Sequence, residues 1–323
     1  MSIIYFPLIL ISFLGYGFFV NKNVIKLKNY NLGIVGLIGI FFLTLISYIS
    51  TQFISHNLIF NSLIIFIGLM FFLNYFKKFK LNKNDNLIIL LLFGFSILFI
   101  LVGKNHDDFH YYHFPYILML TDYPHPLGMG NWNHGFKTHS SLFLTSSLFH
   151  LPGAKYSLFH LLPAYFVFFS NFILLKIIFD KKNQKKFLFI TFLSLSSFVF
   201  INVFFYRLGE HGTDRSAMIL ILIFLIYLFS LINNQINKID KGIFHFIIVL
   251  FVLIVSLKIV YVIYSLLLLP IIFYYFKKEK SFKFLLNSSF LLSSILFLFV
   301  LLTNFLNTGC LLFPEKSSCF GKY

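Results

Sequence analysis

Two adjacent acids, Asp107 and Asp108, follow a long apolar run and have the clearest potential for chemistry in this sequence. A carboxylate at a membrane surface can act as a general base if it reaches the proton that it removes. The alternative is that both acids are solvated and cap a helix. Because histidines and aromatic residues surround them, we predict a catalytic role for one of the two acids.

Three histidines accompany the acids: His106, His110 and His113 lie at spacings of four and three residues. A helix would place them on one face, where such a set could bind a metal ion. No cysteine partner or HExxH pattern supports a metal site, so hydrogen bonds to sugar hydroxyls or phosphate are favoured. No cofactor is certain, and a divalent metal ion is left open.

A second polar segment, YRLGEHGTDR at 206–215, lies between two apolar runs and contains both arginines of the chain. Arginine suits bidentate contacts with phosphate, and lysine acts as a point charge. We predict that Arg207, Arg215 and Lys258 bind an anionic group, with salt bridges to nearby acids as the alternative. The residues predicted to contact a substrate are His110, His113, Asn133, His134, Glu210, His211 and Asp214.

Apolar helices must position these residues. Of the 323 residues, 59% are hydrophobic and 11% are charged, whereas a soluble domain is about a quarter charged. Runs such as 87–103 and 187–205 are long enough for a helix to cross about 30 Å of hydrocarbon, where backbone groups must be bonded internally. The net charge of +16 comes mostly from lysines between the apolar runs. Lysines in such loops determine how a protein is oriented in the membrane. We therefore predict no nucleic-acid partner.

The pattern predicts an all-α, polytopic transmembrane bundle. Ten candidate spans lie at about 3–20, 30–50, 58–76, 87–103, 155–179, 187–205, 216–233, 243–257, 261–276 and 284–304. Loops on one side carry 17 basic residues and loops on the other carry 8. The positive-inside rule therefore places 104–154, 206–215 and both termini outside. The least secure pair is 243–276, because one long helix there would move the C-terminus to the other side. The first span is predicted to be an anchor.

The long outside segment after the fourth span is predicted to contain an interfacial helix. Tyr111, Tyr112 and Tyr116 suit a helix that lies in the membrane surface with its rings at headgroup depth. Pro115 suits a kink or a helix start. The apolar segment 140–151 is too short to span, so it either re-enters the membrane or lies flat.

The only cysteines, Cys310 and Cys319, both fall on the predicted outside. An oxidising compartment favours a disulfide between them, with two free thiols as the alternative.

The motif NHDDFHYYHFPY, at the exit of an apolar helix, resembles the first outside loop of the GT-C superfamily of membrane glycosyltransferases, of the glycosyltransferase 39-like type. The segments RLGEHGTDR, SLKIVYVIY and TGCLLFPEKSSCF are similar to polar outside elements of bacterial members. The resemblance covers about 87–320. Three spans precede the acidic loop where the family often has one, and relatives usually continue beyond the position of Cys319, so a truncated or split member is expected.

The resemblance implies N-terminal transmembrane helices at 1–86 and a GT-C-like core at 87–323. It implies that Asp107 or Asp108 is the catalytic base, and that Lys258 and the arginines contact a lipid phosphate. The implied activity is that of an inverting glycosyltransferase in a bacterial inner membrane, which uses a polyprenyl-phosphate sugar and a cell-envelope glycan or lipid acceptor. A transporter or flippase of a lipid-linked or anionic solute, and a non-catalytic assembly subunit, are the alternatives.

Overall fold

The computed structural model describes residues 2–77, 79, 81–101, 108–154, 156–180, 187–204, 213–233, 241–280 and 287–320. Within these residues the elements are helical, and the one β-bridge joins Cys310 to Cys319. The all-α prediction is therefore confirmed for the described part of the chain. Its α-helices are α1 Ser2–Val20, α2 Leu32–Thr51, α3 Leu58–Phe76, α4 Lys83–Leu101, α5 Phe114–Asp122, α6 Ser141–Ser147, α7 Leu162–Phe179, α8 Leu188–Phe204, α9 Thr213–Asn233, α10 Lys241–Leu257, α11 Leu269–Glu279 and α12 Ser288–Thr308.

Several of these helices could span a membrane. Six described helices are long and apolar enough: Ser2–Ile25, Leu32–Thr51, Leu58–Phe76, Leu162–Phe179, Thr213–Ile232 and Ser288–Thr308. A seventh span results if Ile259–Leu267 and Leu269–Lys277, which are bent by 40°, count as one. The apolar helices Leu188–Val203 and Lys241–Leu257 are shorter. The structure thus supports six or seven spans by length and composition, where the sequence predicts ten.

Helix α1 packs closely against α2 and α3. A side chain at Gly15 would collide with the backbone of Gly68 in α3, and one at Gly39 of α2 would collide with the carbonyl of Phe13. Small residues let apolar helices approach this closely in lipid, where dispersion contacts hold them together.

The chain reverses direction at Lys258. Helix α10 ends at Leu257, Lys258 has an extended backbone, and a 3-10 helix follows at Ile259–Leu267. The rings of Phe244 and Tyr275 lie 4.9 Å apart, so the two arms pack side by side. The structure thus favours the hairpin over the single long helix.

Helix α6 is buried inside the bundle. Its seven residues are all buried. Thr145 shares a 3.0 Å hydrogen bond with Thr44 of α2, and Ser256 of α10 donates one to Ser141 at 2.9 Å. Of the two sequence alternatives for 140–151, re-entry fits this position and a flat surface location does not.

The bundle has two distinct ends. At the end that we call the loop end, the hydroxyl of Tyr5 donates to the carbonyl of Pro152, the amide of His125 donates to Thr51, and the amide of Gly128 donates to Leu306. These bonds attach the segment 108–154 to the start of α1 and the ends of α2 and α12. At the opposite end, which we call the lysine end, Lys176 Nζ of α7 pairs with Asp85 Oδ1 of α4 at 2.6 Å.

Candidate functional site

The hydroxyl of Tyr112 lies beside the carboxylate of Asp108 at the loop end. Both residues are half-buried, and Tyr112 Oη donates a long hydrogen bond of 3.5 Å to Asp108 Oδ2. Burial, then the negative charge of Asp108 and, least of all, that of Asp214 raise the pKa of Tyr112 to about 12, against a lowering by a hydrogen bond with Thr138. The phenol therefore keeps its proton at neutral pH and remains a hydrogen-bond donor to Asp108.

Lys258 and Asp214 form an ion pair in the same region. Its proximity to Tyr112 is indicated by the charge of Asp214, which contributes to the raised pKa of the Tyr112 hydroxyl. Lys258 is at the tip of the hairpin, and Asp214 lies in the first turn of α9, where the helix dipole favours a negative charge. The side chains of Lys258 and Asp214 are 41% and 44% exposed. Both side chains of the pair are thus partly exposed.

A short 3-10 helix, His134–Lys137, supports the ring of Tyr112. Asn133 caps this helix by accepting a 2.9 Å hydrogen bond from the amide of Gly135, and its own amide donates to the carbonyl of Tyr111 at 3.3 Å. A side chain at Gly135 would collide with the Tyr112 ring. Glycine at this position therefore allows the ring to reach Asp108.

Asp108, Asp214 and Lys258 are the predicted site residues that the structure brings to one neighbourhood. A carboxylate held by a phenol can accept a proton, and a half-exposed ammonium can bind an anion. Their juxtaposition places carboxylates and an ammonium group in one partly exposed region.

The other predicted residues take different positions. His110 and His134 are exposed. His113 is 2% exposed, and its ring lies 4.8 Å from that of Phe143, so the described backbone turns it into the protein. Residues 109–113 form a π-helical turn. His110 is exposed and His113 is buried, so these two histidines do not share one face as the sequence predicts. Arg215 is half-buried at the start of α9.

Four predicted site residues, Asp107, Arg207, Glu210 and His211, lie outside the described residues, as does His106. Across the described ranges, no group of three or more histidine, cysteine or acidic side chains is placed to hold a metal ion.

Tyr116 is the centre of a buried polar cluster that the sequence analysis does not predict. Its hydroxyl lies 2.9 Å from His125 Nε2 and 3.1 Å from His139 Nδ1, and accepts a 3.0 Å bond from the amide of Asn307. His139 Nε2 lies 2.7 Å from the hydroxyl of Tyr48. We call these five residues the Tyr116 cluster. It joins the loop segment and α5 to α2 and α12.

Hydrogen-bond geometry limits the protonation states of this cluster. Since Asn307 donates to Tyr116, one histidine must donate to the phenol and the other must accept from it. Burial lowers the pKa of His125 to about 4 and that of His139 well below its usual value, so both rings are neutral at pH 7. Tyr116 is fully buried in the cluster, so its ring is not exposed to lipid headgroups, whereas Tyr111 is exposed.

His56 forms a serine–histidine arrangement that is structural. Its ring nitrogens lie 2.6 Å from Ser147 Oγ and 2.7 Å from Ser50 Oγ, and His56 is fully buried. The hydroxyl of Ser147 also lies within donating distance of the carbonyl of Leu144, at 2.7 Å. His56 and Ser147 are fully buried and Ser50 is partly buried, and their hydrogen bonds hold the start of α3 to α2 and α6.

The tail closes on itself through a disulfide between Cys310 and Cys319, the pairing that the sequence predicts. Their Cα atoms are 3.8 Å apart, and the amide of Leu311 donates to the carbonyl of Ser318 at 3.0 Å. The bridge fixes the short segment that follows α12 at the loop end.

Comparison with known proteins gives a family without an assigned activity. No curated protein and no solved structure matches the chain significantly. One family model matches residues 1–322, and its description is "Domain of unknown function (DUF8201)". Since the match covers nearly the whole chain, the protein belongs to the DUF8201 family.

Proposed function

We propose that this protein is an integral membrane glycosyltransferase with a GT-C-like bundle in a bacterial inner membrane. It moves a sugar from a polyprenyl-phosphate donor to a cell-envelope glycan or lipid acceptor on the non-cytoplasmic side. The observation that supports this proposal is the shared neighbourhood of Asp108, Tyr112 and the Lys258–Asp214 ion pair at the loop end.

The proposal includes a count of ten spans. Beyond the six long helices and the bent pair, α4, α8 and α10 also cross the membrane. The course of α10 supports this count, because its last residue precedes Lys258 at the loop end. The concentration of lysines in the remaining loops supports a cytoplasmic location of the lysine end.

Asp108 is the base of the proposed reaction. Its carboxylate takes the proton of an acceptor hydroxyl, and that oxygen forms a bond to the anomeric carbon of the sugar. The bond between this carbon and the phosphate oxygen breaks, and its electron pair leaves with polyprenyl phosphate. Attack from the face opposite the leaving group inverts the anomeric configuration.

Lys258 binds the phosphate of the donor and of the leaving group. A fixed cation that faces the oxygen on which negative charge develops lowers the barrier to its departure. Without donor, Asp214 neutralises Lys258, so the phosphate displaces a carboxylate when it binds. The arginines of the 206–215 segment add cationic contacts in this proposal.

The proposal is tested with purified protein in proteoliposomes that contain polyprenyl-phosphate sugars labelled in the sugar. The expected result is label in an envelope acceptor, with one polyprenyl phosphate released for each sugar transferred. Movement of intact donor across the bilayer would replace the proposal with the flippase alternative. If neither transfer nor movement occurs with any donor and acceptor pair of the envelope, the enzymatic proposal fails and the assembly-subunit alternative takes its place.

A further inference from the structure

A groove of about 590 Å³ runs along the outside of the bundle between α4, α7 and α8. Leu87, Leu91 and Phe95 line it from α4, Leu175 lines it from α7, and Phe198 lines it from α8. Leu87, Leu91 and Phe95 are each half or more exposed, so the groove opens sideways to the surroundings of the bundle. In a membrane, these surroundings are hydrocarbon.

Asn202 of α8, one of the residues that line the groove, belongs to an amide pair. Asn171 of α7 and Asn202 of α8 each donate to the other's side-chain oxygen, at 3.0 and 3.1 Å. Because the two amides satisfy each other, this polar part of the lining requires no water. An apolar chain can therefore reach this point.

The length of the groove matches one leaflet of a bilayer. Its lining on α4 extends from Asn84 to Phe95, which is about 16 Å at 1.5 Å per helical residue. Half of the hydrocarbon core is about 15 Å thick. A single acyl chain of a lipid in one leaflet fits this length, whereas a polyprenyl chain is longer.

The mouth of the groove is polar, and two exposed charged residues adjoin its lining: Lys83 beside Asn84, and Asp180 beside Phe179. Asn84 lines it at the start of α4, next to the exposed Lys83. Asp85 points inward to the ion pair with Lys176, and its Oδ2 accepts a 3.0 Å bond from the amide of Asn82, so this acid is engaged within the protein. Lys83 is therefore placed to attract the phosphate of a lipid headgroup.

We propose that this groove is a binding site for one acyl chain of an anionic glycerophospholipid from the leaflet at the lysine end, with its phosphate beside Lys83. The site lies on the membrane-facing side of α4 and is separate from the loop-end residues. Its lipid is structural: it fills the gap between α4 and α8 and holds both helices against α7. The inference does not depend on the proposed transferase activity.

The test compares two neighbouring substitutions in α4. Leu91→Trp fills the groove, whereas Leu90→Trp adds the same ring at a side chain that is 70% exposed and does not line it. Each protein is extracted in detergent with a mixture of phosphatidylglycerol, phosphatidylcholine and polyprenyl phosphate, and its retained lipids are counted by native mass spectrometry. We expect about one phosphatidylglycerol per wild-type chain and per Leu90→Trp chain. Leu91→Trp should retain roughly tenfold less, equivalent to about 1.4 kcal/mol of lost affinity.

Three results would overturn the inference: no retained lipid in the wild type, equal retention by Leu90→Trp and Leu91→Trp, or retention of polyprenyl phosphate in place of phospholipid. If Leu91→Trp does not yield folded protein, Leu87→Trp, one turn away in the same lining, replaces it. Lys83→Gln supplies a second measurement, since it should abolish the preference for phosphatidylglycerol over phosphatidylcholine. An unchanged preference would contradict the placement of the phosphate.

Discussion

The ammonium group of Lys258 pairs with the carboxylate of Asp214, which joins the tip of the last helical hairpin to the first turn of α9. The pair is half-exposed, and exposed ion pairs contribute little to stability, about 0–1 kcal/mol. We propose a functional role for the pair, since Asp214 binds the ammonium group that a donor phosphate would bind.

Lys258→Met and Asp214→Asn should change donor binding in opposite directions. Loss of the cation should raise the KM for the polyprenyl-phosphate donor by roughly tenfold. Loss of the competing carboxylate should lower this KM by up to about fivefold, in line with an exposed pair. Lys316→Met, at an exposed lysine of the tail, is the matched control and should leave the KM unchanged. Steady-state kinetics with varied donor concentration measure the KM of all three variants. If Lys258→Met and Asp214→Asn change the donor KM in the same direction, Asp214 does not compete with the donor phosphate for Lys258.

Gly135→Ala should lower turnover by displacing Tyr112. The added methyl group would collide with the Tyr112 ring, so the phenol would lose its position beside Asp108. We expect kcat to fall by on the order of tenfold or more, while the donor KM stays constant. Tyr112→Phe should give a similar loss without a collision. Gly94→Ala is the control, because a methyl group there meets nothing within 4 Å. If Gly135→Ala keeps the wild-type turnover, the position of Tyr112 beside Asp108 does not matter for the reaction.

The Tyr116 cluster should make the fold sensitive to acid. Burial lowers the pKa of His125 from 6.5 to about 4, so the unfolded chain takes up its proton first as the pH falls. The free energy of unfolding should therefore be level above pH 6.5 and decrease between pH 6.5 and about 4, by roughly 3 kcal/mol for this residue.

His125→Gln should be less stable than the wild type at pH 7.5 but should lose less stability on acidification. Thermal unfolding in detergent across this pH range measures the effect. His134→Gln, at an exposed histidine, should keep the wild-type slope. Equal slopes for the wild type and His125→Gln would show that the buried ring does not carry the acid sensitivity.

Single cysteines should show which side of the membrane the loop end faces. In a background without Cys310 and Cys319, cysteine at Leu127 or His134, both exposed at the loop end, should react with an impermeant maleimide added from the non-cytoplasmic side. Cysteine at Lys83 should react only from the cytoplasm. The reverse pattern would invert the orientation that the lysine distribution predicts.

The described helices follow the sequence pattern closely because apolar runs between charged loops determine where a helix can lie in lipid. The predicted 58–76 coincides with α3, and the reversal at Lys258 was expected from a charged residue between two short apolar runs. The number of spans could not be fixed in this way, since α8 and α10 are shorter than a full crossing.

The candidate site was predicted only in part, for a physical reason. Asp108 and Asp214 are two of only ten acidic residues, and Lys258 lies alone between two apolar runs, so scarcity and position along the chain identify them. Tyr112 follows Asp108 by four residues, a spacing that brings helical side chains together, and could have been identified from that spacing. The Tyr116 cluster depends on contacts between residues far apart in sequence, such as Tyr48 and Asn307, and local patterns carry no information on such contacts.

The role of Asp108 as the base is the central claim, and single-turnover sugar transfer by Asp108→Asn tests it most directly. Asparagine keeps the shape of the side chain but cannot accept the proton, so transfer from bound donor should slow by on the order of a hundredfold or more while donor affinity is retained. Asp107→Asn, measured beside it, should slow transfer less. If Asp108→Asn transfers sugar at the wild-type rate, Asp108 is not the base; if Asp107→Asn is then also unimpaired, the protein is not an enzyme of the kind proposed.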